Sequence, residues 1–511
     1  MFRGWYIDDA VAGDTALAMD QWLEALDCLG PAVGLHLKWS KCTVYGPAPP
    51  ECTYLARCGR GVFEDLQVLN VPCSDNNVTF WSEHLEEVLA RNKRYELFAP
   101  ADPHSAYLLA KGCGGANLST YVARCAPMPH ETAEALDEAI LKVWNACGPA
   151  FTGDNALRAS LPVRMNGGLG LRPMSRVAPL ALLCGLGVAQ NSTQHFFSSP
   201  CPERALPPGL PTSILNNYAP DAASVVLKGI AASTQIGAER VKGLQKKAMH
   251  LHEQFLANEL FAPSSPEEQA RQQSCKHPRA NYWLSPPSRA YDMCLLEPIE
   301  FDLAIRLRFG LPVQLSSCKA HCNRCHAPVS DRFGTHELAC KGGPHRIELH
   351  DSLKNIAINF ATQGGLNPTR EPRPFANSSS DRLDMGFLHG GRMHLLDFAV
   401  TSHLRVDRLQ AAIASPGGAA TEHERIKRSR YGALICPGQA LHPVIFDTLG
   451  AWGRSADNPL SFIANSFARR SCLGPSAAHL FYAKLNATII RGVIRLLLAT
   501  STAGEVILTG G

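Results

Sequence analysis

Three groups of residues have the types and the spacing to do chemistry. Tyr6-Ile7-Asp8-Asp9 lies among Phe2, Trp5 and Val11, which predicts an apolar strand pair with two aspartates at its tip. Carboxylates paired in this way hold Mg²⁺, because two divalent ions must clamp the attacking and leaving oxygens of an in-line phosphoryl displacement. Cys322-x2-Cys325 is followed by His336-x3-Cys340. Tetrahedral Zn²⁺ takes thiolate and imidazole ligands from two short knuckles, and a segment this small has no core to fold around without metal. His345 is the alternative to Cys340 as fourth ligand, and Cys318, His321 and His326 are spare donors. Four ligands leave no open coordination position, so the expected zinc is structural. In the third group, residues 382–388 and 393–400 read as strands joined by His389-Gly390-Gly391-Arg392. With the glycine pair at the turn centre, Asp384 stands opposite Asp397. Opposed Cβ atoms lie about 4.5–5.5 Å apart, so two carboxylates there repel unless a cation such as Mg²⁺ or Mn²⁺ sits between them.

The elements that must position these groups follow from the pattern. Asp14 is placed to cap a helix whose Leu17, Trp22, Leu23, Leu26 and Leu29 recur near the helical period, and Gly30-Pro31 ends it. Residues 34–39 alternate toward Lys41, residues 42–46 read as extended, and Val68-Leu69-Asn70-Val71-Pro72 reads as a short strand. The first 78 residues are thus expected to run strand, helix, strand, strand. Helical patterns dominate residues 80–308, for example 83–96 and 131–144, with Gly/Pro-rich turns at 162–173. Residues 200–211 and 262–287, rich in Pro, Ser and Gln, are the expected linkers. After Cys318 the order becomes Cys/His cluster, helix, short strands and helix, with a last helix over 476–498.

Composition sets the frame. With 511 residues, 45% apolar and 18% charged, the chain can bury several cores, and two to four domains are expected. The net charge of +4 implies no nucleic-acid partner by itself. Basic residues do gather at Arg240, Lys242, Lys246 and Lys247, at Arg271, Lys276 and Arg279, and at Arg425, Lys427, Arg428 and Arg430. Such clusters serve equally as solvated helix faces or as phosphate contacts. The 18 cysteines are expected to be mostly reduced, since no charged n-region and apolar h-region open the chain. The most apolar run, residues 485–500, is broken by Asn486, Arg491 and Arg495, so no membrane span and no membrane partner are expected.

The YIDD turn, its helix, residues 34–41 and residues 68–72 together resemble the later palm motifs of reverse transcriptases. The resemblance implies Asp8 and Asp9 as catalytic metal ligands, Lys41 as the lysine that protonates pyrophosphate, and residues 68–72 as the primer grip. Asn70 and Ser74 stand where related sequences carry glycine. Ser160-Leu161-Pro162 and Gly167-Gly168-Leu169-Gly170-Leu171-Arg172 look like the thumb and linker of non-LTR retrotransposon proteins. The paired strands carrying Asp384 and Asp397 resemble the PD-(D/E)XK, or restriction-like, endonuclease core, where a helix supplies one acidic residue and adjacent strands the others. Glu348, His350, Asp351 and Glu371 are then supporting candidates. Ala399 stands where the motif carries lysine, and in some members that lysine moves to the following helix, which nominates Lys427.

The resemblance implies an α/β multidomain chain with a partial palm at 1–78, a mainly helical thumb and linker at 79–314, a zinc knuckle at 315–346, a restriction-like endonuclease at 347–450 and a C-terminal helical segment at 451–511. It implies work on target DNA and on the element's RNA in the nucleus: nicking of DNA, whose 3′ end primes reverse transcription. With no earlier palm strand ahead of Asp8, the chain is expected not to polymerise DNA alone, while metal-dependent nicking remains. Two other readings stand beside this one: a nucleic-acid-binding zinc-knuckle protein whose nuclease has decayed, and a retroelement remnant with no function.

Overall fold

The computed structural model describes residues 2–6, 9–46, 49–61, 67–68, 71–72, 77–194, 210–233, 243–286, 291–313, 321–322, 325–327, 332–340, 344–373, 382–432, 435–474 and 476–498. Helices predominate and the sheets are small. No helix among the described residues is long and apolar enough to cross a membrane. The chain divides into two compact units: Met1–Arg91, Gly115–Glu138 and Pro173–Met249 in one, and Asn92–Gly114, Ala139–Arg172 and His250–Gly511 in the other. Residues 79–314 contribute to both units, and everything after 250 belongs to one.

In the first unit, β1 (Phe2–Tyr6) and β2 (Asp9–Gly13) form an antiparallel hairpin whose last pair is Tyr6 with Asp9. The helix Ala16–Leu29 follows, and its cap is Thr15 in place of the expected Asp14: the Thr15 hydroxyl accepts from the Ala18 amide, while Asp14 Oδ1 accepts from Thr15 N–H. Residues 34–41 do not form the expected strand. Gly34 at φ 79° turns the chain, and Trp39–Lys41 is a short 3₁₀ turn. The extended piece is only β3 (Thr43–Val44), paired in parallel with β4 (Gly59–Arg60). Asp20 Oδ1 accepts from Leu55 N–H at 2.7 Å and ties the helix to this segment. Nor is 68–72 one strand: β5 (Gln67–Val68) and β6 (Val71–Pro72) pair antiparallel as a tight hairpin. A helical core containing Val88, Leu136, Met174, Leu180 and Leu183 completes the unit.

In the second unit, Tyr107, Trp144, Trp283 and Phe301 lie in one large apolar core. The glycine-rich turn of residues 160–172 wraps two buried arginines. Arg308 donates to the Gly167, Val163 and Gly168 carbonyls, and Arg158 donates to the Asn166 and Arg308 carbonyls and pairs with Glu268. A buried guanidinium needs acceptors for its fan of donors, and the exposed backbone of a glycine turn supplies them. Residues 262–287 are not a linker: Ser265 caps the helix Pro266–Lys276, whose Ala270, Arg271, Gln272, Ser274 and Cys275 are buried. Residues 200–209 lie outside the described residues.

The same unit holds a four-stranded sheet in the order β10, β9, β8, β7. The lead helix His345–Gln363 precedes β7 (Thr369–Arg370), β8 (Met385–His389) and β9 (Arg392–Thr401), which are successively antiparallel. The crossover helix Gly418–Tyr431 then returns the chain to β10 (Gln439–Asp447), parallel to β9. A parallel pair requires such a crossover. Alternation divides the sheet's faces: Leu396, Phe398, Val444 and Phe446 pack with Leu349 and Leu353 of the lead helix, while Leu395 and Leu441 pack with Tyr431 of the crossover helix. Leu460 and Ile463 of the helix Asp457–Arg470, and Leu485 and Ile489 of Ala477–Leu498, join the first of these cores.

Candidate metal centre and carboxylate cluster

Cys322, Cys325, His336 and Cys340 converge so that one ligand atom from each lies within 4.8 Å of all the others. Cys322 Sγ and Cys340 Sγ are 3.9 Å apart, and Cys325 Sγ and His336 Nε2 are 3.2 Å apart. Zinc–sulfur bonds of ~2.3 Å and zinc–nitrogen bonds of ~2.0 Å set tetrahedral edges of roughly 3.5–3.8 Å, so the four donors fit a single Zn²⁺. The first knuckle is closed by backbone bonds from Cys322 N–H to Ala327 O and from His326 N–H to Cys322 O, with His326 at φ 57°. The second is the helix Thr335–Ala339, whose first turn carries His336 and whose C-cap is Cys340. His345 is not a ligand: it starts the lead helix with Nδ1 2.9 Å from Glu348. Cys340, not His345, is the fourth member of the cluster. Cys318 lies outside the described residues. Arg346 donates to the Leu338 carbonyl at 2.7 Å and ties the second knuckle to the lead helix. This is the one group of three or more metal-ligating side chains among the described residues.

At the sheet, the turn forms as expected. His389 pairs with Arg392, and Gly390 and Gly391 take φ 57° and 74°, the two positive values a two-residue hairpin of the right twist requires. Direct opposition of Asp384 and Asp397 does not form. The ladder pairs Met385 with Leu396, yet Asp384 N–H also donates to Leu396 O at 3.0 Å, so two residues stand against one, the count of a β-bulge. Asp384 Oδ2 accepts from Phe398 N–H at 2.6 Å and lies 3.0 Å from His350 Nε2. Asp397 is 2.9 Å from Lys427 Nζ. The two carboxylates are neighbours across the Asp397–Phe398 peptide, one partnered by the lead helix and the other by the crossover helix. Each carboxylate has a basic partner of its own, His350 or Lys427, which corrects the expectation that proximity alone demands a shared divalent ion.

The remaining acids form a chain at the edge of this site. His350 Nδ1 is 3.2 Å from Asp351, whose carboxylate is 3.0 Å from Lys354 Nζ. Lys354 also lies 3.4 Å from Glu371, which pairs with Arg382 at 2.7 Å. Glu371 N–H donates to Asp384 O at 3.2 Å. Its φ of 46° is unfavourable for a side chain with a Cβ, by about 1–2 kcal/mol, and both cations hold it there. The hydrogen bond to Asp384, aided by Asp351, raises the His350 imidazole above its ordinary value. Burial pushes the Asp397 carboxyl up against the pull of Lys427, and the charge of Asp384 adds to the push. Lys354 and Arg382 went unread in the sequence, although an Asp-x-x-Lys spacing on a helix was the available signal for Lys354.

The first constellation stays at backbone level. Residues 7 and 8, with Asp8 among them, lie outside the described residues; Asp9 belongs to β2, and Lys41 is exposed at the end of its 3₁₀ turn. Much of the basic charge is used internally. Arg271 pairs with Glu268, Arg279 stacks on Tyr482 at 4.1 Å, Lys276 lies over Phe261, Arg425 pairs with Glu422, and Arg428 donates to Ser455.

No protein-family model matches the chain, and no curated protein matches it. Fold and site together define a mostly helical chain that carries a four-residue Cys/His cluster able to hold a metal such as zinc, and a mixed sheet with an ionic carboxylate cluster.

Proposed function

We propose that the lead helix, β7 to β10 and the crossover helix form a metal-dependent DNA-nicking centre in a chain built like the C-terminal part of a non-LTR retrotransposon reverse transcriptase and endonuclease. The observation that carries this reading is the arrival of Lys427 from the following helix at Asp397, beside Asp384, as the restriction-like resemblance requires once Ala399 occupies the usual lysine position. Helix-borne Asp351 and His350 complete the set.

Asp384, just before β8, and Asp397 on β9 offer the hard oxygen donors that Mg²⁺ or Mn²⁺ takes with several waters retained, and a cation there would relieve the burial that lifts Asp397, which supports the reading. When bound, Mg²⁺ supplies a more acidic water and orients the phosphate. Asp384 and Asp397 hold the site, Glu371 borders it, and Lys427 is placed to meet the negative charge that builds on a phosphate beside Asp397. The Cys/His centre, on this reading, binds Zn²⁺ and with the helical region holds target DNA and element RNA in the nucleus. Polymerisation by this chain alone is not part of the proposal.

The test is conversion of supercoiled plasmid to open circles by the purified full chain with Mg²⁺ or Mn²⁺. Asp384→Asn and Asp397→Asn should each abolish nicking while leaving zinc content unchanged. Wild-type protein inert with both ions, or nicking undiminished in Asp397→Asn, overturns the reading. A second reading has one observation in its favour: both carboxylates already carry basic side-chain partners. It is a nucleic-acid-binding zinc protein that does not cleave, and it predicts salt-dependent DNA and RNA binding without open circles.

A further inference from the structure

We infer that Cys42 and Cys58 form a reversible intramolecular disulfide when the protein meets a low-molecular-weight disulfide such as oxidised glutathione, making this pair a redox modification site of the first unit. Thr43 pairs in parallel with Gly59, and Gly59 N–H donates to Cys42 O at 2.8 Å, so Cys42 and Cys58 are the next neighbours across the two strands. Adjacent strands lie about 4.8 Å apart, inside the Cα separation of roughly 4.4–6.8 Å that a disulfide spans. The side chains share one small core, Cys58 buried and Cys42 packed against it, and the two thiols lie near enough to affect each other's titration.

The neighbouring sulfurs have other engagements. Cys28 lies beside Tyr54, and Cys52 is buried in the same core. Cys42 is the more accessible thiol and is set as the attacking group; Cys58, behind it, resolves. Cys42 thiolate attacks glutathione disulfide, forming a mixed disulfide and releasing one glutathione thiolate. Cys58 thiolate then attacks the Cys42 sulfur and releases the second glutathione, so two protein thiols are oxidised and one glutathione disulfide is reduced to two thiols. Burial raises both thiols, so the reaction runs faster as pH rises above neutral. Cys42 Sγ now donates to Lys38 O at 3.5 Å across the 3₁₀ turn. Oxidation removes that donor and fastens the turn bearing Lys41 to β4.

The experiment treats the full chain with oxidised glutathione, unfolds it, blocks remaining thiols with N-ethylmaleimide and maps peptides without reduction. In wild type, most Cys42 and Cys58 should appear in one cross-linked peptide pair that a reductant dissolves. In Cys58→Ser the reaction should stop with glutathione on Cys42, and in Cys42→Ser the Cys58 thiol should remain alkylatable. Both thiols still alkylatable in wild type, glutathione persisting on Cys42 in wild type, or preferred pairing of either with Cys28 or Cys52 overturns the inference. Far-UV circular dichroism of each serine variant separates a lost partner from a lost fold.

Discussion

Lys427 Nζ stands 2.9 Å from Asp397 Oδ2, an ion pair joining the crossover helix to the strand it follows. The helix is anchored one turn later by Tyr431, buried against Leu395 and Leu441. Lys427 precedes Tyr431 by one helical turn as Asp397 follows Leu395 by one strand repeat, so packing fixes the register of the ion pair. Side-chain exposures of 21% and 10% place it well inside the surface. Removing one partner of a buried pair leaves a desolvated charge, at a cost of about 3–5 kcal/mol, whereas replacing both is nearly neutral. Lys427→Met is therefore expected to lose a few kcal/mol at neutral pH, and Asp397→Asn with Lys427→Met to regain most of it. Urea unfolding of the two single variants and the double variant checks this; additive losses would show that the pair contributes no coupling.

The Cys/His cluster makes a sharper prediction, because geometry distinguishes two candidate ligands that spacing could not. Cys340→Ala is expected to lose the metal and to melt several degrees lower, since ligand loss is folding energy lost in so small a segment. His345→Ala is expected to retain one zinc per chain, because its imidazole is turned to Glu348. Elemental analysis of the dialysed variants decides it, and zinc-free His345→Ala protein would contradict the assignment of Cys340.

The sequence disclosed most where chemistry and turn geometry coincide. The Cys/His spacing, the Gly390-Gly391 reversal and the strands around it were legible because each depends on local residue types. Lys427 was legible only through resemblance, since nothing in an exposed-looking run of basic residues says which one turns inward. The bulge at Asp384 was not legible: it arises from the bonds that Glu371 N–H makes to Asp384 O and Asp384 N–H to Leu396 O, both between distant residues. The helix Pro266–Lys276 read as a linker because its polar residues are buried against Glu268 and Arg158, a tertiary satisfaction that composition hides. Residues 34–41 alternated like a strand but pair with no strand among the described residues, and Gly34 diverts them.

Gly168 tests the arginine-centred turn. A Cβ at this position would stand 2.1 Å from Leu161 O, a backbone atom with no flexible side chain to yield. The turn must then open, drawing the Gly167 and Gly168 carbonyls off Arg308 and leaving a buried guanidinium short of acceptors. Gly168→Ala is expected to destabilise the chain by about 2 kcal/mol or more, read as a lowered urea midpoint. Gly112→Ala, a helical glycine with open space around its Cβ, is the control expected to be neutral or stabilising.

Acid should unfold this protein through its buried imidazoles. His104, His277, His423 and His442 are each lowered to about 4 and His403 to about 3, in every case chiefly by burial. A lowered imidazole is neutral in the fold and charged in the unfolded chain below pH ~6.5, so its stabilisation is present above that value and is lost as pH falls toward the folded value. Four raised carboxyls oppose this: burial lifts Glu424 to about 7 and Asp447 to about 6, and raises Asp137 and Asp397 as well, so their contribution is present at low pH and is lost as pH rises through their folded values. His350, raised through Asp384, is charged in both states across this window and acts only above it. Seven lowered imidazoles, His84 and His394 included, against four raised carboxyls leave the unfolded state binding more protons between pH ~4.5 and 6, so stability rises with pH there. With His423 and His442 discounted for partial exposure, the slope is on the order of 2–3 kcal/mol per pH unit. Urea midpoints at pH ~4.5, 5.5 and 6.5 measure it. His403→Gln keeps a hydrogen-bonding group near Thr448, the residue His403 Nδ1 contacts at 3.0 Å, and should flatten the slope by one proton. A flat or falling profile would mean that these imidazoles titrate freely and are not buried as the fold places them.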